Sequence, residues 1–178
     1  MISIFEQLTA LEILFILLWL AAVVYGVTTG PIRQLFMIGS TVLGMLIGAA
    51  VAGPISVWTG PMSGVGKEGI LPFTHAVFVV LIALVVYVIV IRSNPNTKFV
   101  SMPKLDKISG GIAGLFSGVL LISQISAITD SLTRSPWAIL DGTRSNIQSQ
   151  LTSGPFLPFI AETFPLLVDA VKMLMPHL

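Results

Sequence analysis

The sequence predicts an all-α integral membrane protein: a four-helix transmembrane bundle followed by an amphipathic C-terminal helical tail. Three observations carry this. The chain is 54% hydrophobic and only 10% charged, with a mean hydropathy of +0.97, whereas soluble domains carry about a quarter charged residues. Its few charges divide it into four uncharged runs, each able to supply the ~20 apolar residues that a spanning helix needs. Small residues recur at spacing four within two of those runs, as closely packed membrane helices require.

The first span is expected near 8–28. It is rich in leucine (Leu14, Leu17, Leu18, Leu20) and carries Trp19 and Tyr25. The N-terminal residues lack a basic stretch and a small-residue cleavage signal, so this run is read as a retained span. Gly26-Val27-Thr28-Thr29-Gly30-Pro31 reads as a turn, with Pro31 suited to the first turn of the next helix. The second span, near 32–53, places Ser40, Gly44, Gly48 and Ala52 on one face and is expected to stop at Gly53-Pro54. A nearly uncharged loop rich in glycine and proline follows.

The third span, near 72–92, is crowded with valine and isoleucine. In water that composition favours a strand. Its length and lack of internal turn residues argue instead for a lipid-facing helix. The fourth span, near 108–130, opens with Leu105-Asp106-Lys107 and carries Gly110, Gly114 and Gly118 at spacing four. The two small-residue stripes, on spans two and four, read as a facing pair. Residues 1–130 thus form the transmembrane domain, and 131–178 an extracytoplasmic or interfacial tail. A short helix is expected over 137–151, with Trp137, Ile139, Leu140, Ile147 and Leu151 on its apolar side. A final segment kinked at Pro165 aligns Phe156, Phe159, Ile160, Phe164, Leu167, Val171 and Leu174. It suits a helix lying in the membrane interface and equally one packed on the outer mouth of the bundle.

Basic residues set the expected orientation. Arg33 in the first turn and Arg92, Lys98, Lys104 and Lys107 in the third connection place the loops near 29–33 and 92–107 in the cytoplasm, with both termini outside.

Candidate sites are few. Ser40, Gly44, Gly48, Ala52, Gly110, Gly114 and Gly118 are packing positions. Arg33 and Asp106 sit at the cytoplasmic ends of neighbouring spans, where they serve topology and helix-terminus electrostatics or form an ion pair between the two hairpins. His75, Gln124 and Asp130 are candidates for a polar outer-face site. The two histidines have no ligand spacing around them and the chain has no cysteine, so neither metal nor cofactor is expected. No nucleophile elbow or phosphate loop is present, and a net charge of +1 gives no stripe for nucleic acid. The expected partners are the lipid bilayer and other membrane proteins or further copies of this chain.

Taken together, Tyr25-Gly26-Val27-Thr28-Thr29-Gly30-Pro31-Ile32-Arg33-Gln34-Leu35-Phe36 with Gly39, Gly44 and Gly48, then Leu105-Asp106-Lys107-Ile108 with Gly110, Gly111, Gly114 and Gly118, and finally Ser153-Gly154-Pro155-Phe156-Leu157-Pro158, resemble the colicin V production protein family. This chain has Thr29-Gly30-Pro31 where that family often carries a further arginine. The resemblance implies a multi-pass protein of the bacterial cytoplasmic (inner) membrane with an envelope role linked to colicin V export or processing. It implies no enzymatic chemistry for the four-helix part. In some extracytoplasmic serine proteases the same unit is the membrane anchor, which also puts the segment after the fourth helix outside. The expected function is a non-enzymatic scaffold or partner subunit in an envelope assembly. The alternative is a channel or transporter subunit formed by oligomerisation through the small-residue faces.

Overall fold

The computed structural model describes residues 8–63, 66–94, 102–134 and 141–175. Among them are seven α-helices and no strand: α1 (Ala10–Thr29), α2 (Pro31–Ser63), α3 (Gly66–Ser93), α4 (Pro103–Arg134), α5 (Asp141–Ser153), α6 (Phe156–Thr163) and α7 (Pro165–Leu174). The first four are long and apolar enough to cross a membrane. The chain is an all-α membrane bundle. Trp137, Ile139, Leu140, Lys98 and His177 lie outside the described residues.

Helix α1 starts at a capping box. The Thr9 hydroxyl accepts from the Glu12 backbone N–H at 3.3 Å, and the Glu12 carboxylate accepts from the Thr9 N–H at 3.2 Å. The helix ends at Gly30, whose φ of 85° is one that side chains rarely adopt. Helix α2 does not stop at Gly53-Pro54. It runs through Pro54 and Pro61 for 33 residues. Interior proline is tolerated where neighbouring helices and hydroxyls support the backbone. Here the Ser56 and Thr59 hydroxyls donate to the Gly53 and Ile55 carbonyls. Helix α3 likewise continues through Pro72. The Gly/Pro-rich stretch expected as a loop is therefore largely helical.

The helices do not pair as the two stripes imply. The α4 glycines pack on α1. A Cβ at Gly110 would overlap the Gly26 carbonyl, and one at Gly114 would stand 2.6 Å from the Ala22 carbonyl oxygen. Gly118 makes room for Trp19, whose indole N–H donates to the Leu115 carbonyl at 3.2 Å. The stripe on α2 meets α3 instead: a Cβ at Gly44 would lie 2.7 Å from the Val79 carbonyl oxygen, and one at Gly48 2.6 Å from a Val79 methyl. Two antiparallel pairs, α1–α4 and α2–α3, thus form by backbone approach. They join across α2 and α4, where the Ser117 hydroxyl donates to the Gln34 side-chain oxygen at 2.7 Å.

The tail is part of this architecture. The final segment is broken rather than kinked at Pro165, which begins α7. Leu151, Phe156 and Ile160 complete one core with Phe15, Val119 and Ile122. Val171 and Met175 complete a second with Met45, Val79 and Leu120. Of the residues expected on the tail's apolar face, Phe159 departs and is half exposed. The tail therefore packs on and into the bundle rather than lying apart on the membrane surface.

Candidate functional site

The polar features collect at the two ends of the bundle and in a cavity between them. At the end where α1 begins, Glu12 is the organising residue. It is only 1% exposed. One carboxylate oxygen closes the capping box with Thr9. The other accepts the Phe156 backbone N–H at 2.7 Å, across 144 positions of sequence. Gly154 lies against the same carboxylate so closely that any Cβ would overlap it. The Leu11 N–H adds a bond of 3.3 Å to the Gln150 side chain. This explains the Ser153-Gly154-Pro155-Phe156 turn. Glycine makes room for the carboxylate, and proline leads the chain into α6 so that its first free N–H points at that carboxylate. The sequence signal for Glu12 was the Thr9-x-x-Glu12 spacing, which announces a cap but says nothing of a partner in the tail.

Beside this dock, α4 and the tail enclose a cavity of about 570 Å³. Its walls are mixed: Leu157, Ile160 and Val171 on one side, Ser123, Ser126 and Asp130 on the other. Asp130 pairs with Arg134 at 2.7 Å, an i,i+4 contact at the exposed end of α4, and such exposed pairs contribute ~0.3–0.5 kcal/mol.

At the opposite end, Asp106 is buried in the first turn of α4. Its carboxylate rests against Gly30, where a Cβ would stand 2.8 Å from Oδ1. That places the negative charge where the chain enters α2, beside the partial positive charge of that helix end. Arg33 follows three residues later and is half-buried. Both residues have interaction partners.

The other expected polar residues are not brought together. His75 is buried in α3 and engaged with a neighbour. Asp130 lines the tail cavity, whereas Gln124 lines a different one, of about 420 Å³, between the four spans. Among the described residues no group of three or more His, Cys, Asp or Glu side chains gathers as a metal site would.

A bundle of four apolar spanning helices, held by glycine-mediated contacts and carrying a docked helical tail, defines a multi-pass α-helical membrane protein. The colicin V production protein family model matches residues 11–165. This range includes all four spans, Glu12, Asp106 and the Gly154–Phe156 turn, and the chain belongs to that family. Comparison with curated proteins and with solved structures returned no match.

Proposed function

We propose that this protein is a non-enzymatic scaffold or partner subunit of an envelope assembly in the bacterial inner membrane. Both termini lie outside, and the turns near 29–33 and 92–107 are cytoplasmic. The observation that carries the reading is the docked tail. Its helices contribute to both cores of the bundle and are tied to α1 through Glu12. The result is a rigid platform on one end of the membrane domain, with Leu166 and Met173 projecting from it as exposed apolar side chains. Three buried polar groups are used in positioning: Glu12 on the tail, Gln34 on Ser117, Asp106 against Gly30. An Arg33–Asp106 ion pair closing the cytoplasmic end belongs to the same reading. Both small-residue faces are occupied inside one chain, which favours this reading over a channel assembled through those faces.

Photocrosslinking in native membranes tests it. A photoreactive residue at Leu166 or Met173 is expected to give a discrete protein adduct, reduced when Glu12→Ala loosens the platform. Labelling of lipid alone from both positions, with the purified chain monomeric in nanodiscs, would overturn the scaffold reading.

A further inference from the structure

The lining of the cavity at Gln124 selects for one class of occupant. All four spans contribute to it: Tyr25 from α1, Ser40 and Thr41 from α2, Val80, Leu84 and Tyr87 from α3, and Gln124 from α4. Tyr25 and Tyr87 meet hydroxyl to hydroxyl across α1 and α3 and close one end. Val80 and Leu84 are each more than 60% exposed on the α3 wall, within a membrane-spanning helix. The opening therefore faces the bilayer rather than water.

The floor is polar. Gln124 is 5% exposed and lines the cavity. An amide in hydrocarbon is costly unless it is hydrogen-bonded. The Ser40 and Thr41 hydroxyls both donate to the Met37 carbonyl of their own helix, which leaves their oxygens free to accept. None of the lining side chains is charged. Size selects further. A volume of about 420 Å³ lies in the range of small-molecule pockets. Three turns of a partner helix, about 10 Å across and 16 Å long, need ~1,300 Å³.

We propose that this cavity is a binding site for a bilayer amphiphile, which enters sideways between α1 and α3. An acyl chain lies along Val80 and Leu84, and an uncharged hydrogen-bonding group, an ester or a hydroxyl, is held by the Gln124 amide with Ser40 and Thr41.

The full chain reconstituted in phosphatidylcholine vesicles tests this with two probes: a phosphatidylcholine bearing a diazirine on one acyl chain, and a diazirine-bearing monoacylglycerol. Irradiation is expected to label residues 37–41 and 121–124, with labelling at Ile89 on the lipid-facing side of α3 as the internal standard. Gln124→Leu removes the polar anchor and Val80→Trp fills the entrance from an exposed position that does not disturb the core. Each is expected to cut floor labelling at least fivefold relative to Ile89. Capture of the diacyl probe identifies a membrane phospholipid as the source and capture of the monoacyl probe a single-chain amphiphile; either supports the site. Absence of floor labelling with both probes overturns it, as does labelling unchanged by Val80→Trp. Labelling unchanged by Gln124→Leu overturns the polar anchor.

Discussion

Glu12→Ala is the substitution with the most to say about this fold. The Glu12 carboxylate is almost fully buried and accepts two backbone N–H groups, from Thr9 and from Phe156. Removing it takes away the carboxylate half of the capping box, a loss confined to α1 because the Thr9 hydroxyl still accepts the N–H of residue 12, and strands the Phe156 N–H, at about 1–3 kcal/mol. Only the second loss bears on the tail, so about 2 kcal/mol is a fair expectation for its docking. That corresponds to a ~30-fold rise in the undocked population. Glu12→Gln keeps the shape and one acceptor but loses the charge, so about 1 kcal/mol and a ~5-fold rise are expected. The chain has no cysteine, so a single Ile160→Cys reports docking cleanly: Ile160 is buried between the tail and the bundle. Its rate of modification by a water-soluble maleimide follows the open population when reclosing is fast. Rates should rise in the order wild type, Gln, Ala. A change below twofold in Glu12→Ala, with a cysteine at exposed Met173 reacting normally, refutes the role given to Glu12.

Three further outcomes follow from the packing. Gly110→Leu should destabilise the bundle by at least ~1–3 kcal/mol by forcing α1 and α4 apart, whereas Gly39→Ala, with open space around it, should be neutral or stabilise by up to ~1 kcal/mol; thermal unfolding in nanodiscs compares the two. A double-mutant cycle of Gln34→Leu and Ser117→Ala should give a coupling of ~0.6–1.7 kcal/mol, the range for hydrogen bonds between membrane helices; zero coupling would remove the hydrogen bond as the link between the two helix pairs. Single cysteines replacing exposed Met62 and Asn94 should label from opposite sides of the membrane, Met62→Cys from outside. Labelling of Asn94→Cys from outside reverses the proposed orientation.

The four spans were legible because uncharged length alone reports them. Their pairing was not. Gly110, Gly114 and Gly118 announce a close contact, but the mate lay in Ala22, Gly26 and Gly30, two of which sit in a stretch that reads as a turn. Spacing identifies a face and not the face opposite. Pro54 and Pro61 signal a helix end in water, and a membrane helix supported along its length carries them. The tail showed its periodicity, while the choice between interface and bundle depended on Glu12, whose partner is separated by nearly the whole chain. The cavity at Gln124 needed all four spans in place before it existed at all.

The pairing of α1 with α4 and of Glu12 with Phe156 also has a bearing on how the protein is made. The α2–α3 hairpin is local and can associate as soon as it has entered the bilayer. Helix α1, which precedes the other three spans, must wait with its glycine face unpartnered until about eighty further residues have been synthesised, and its carboxylate waits longer still. A chain arrested before residue 156 would leave Glu12 stranded at the membrane with no Phe156 N–H to receive. The tie is thus made late: α6 secures α1 only after all four spans have been synthesised.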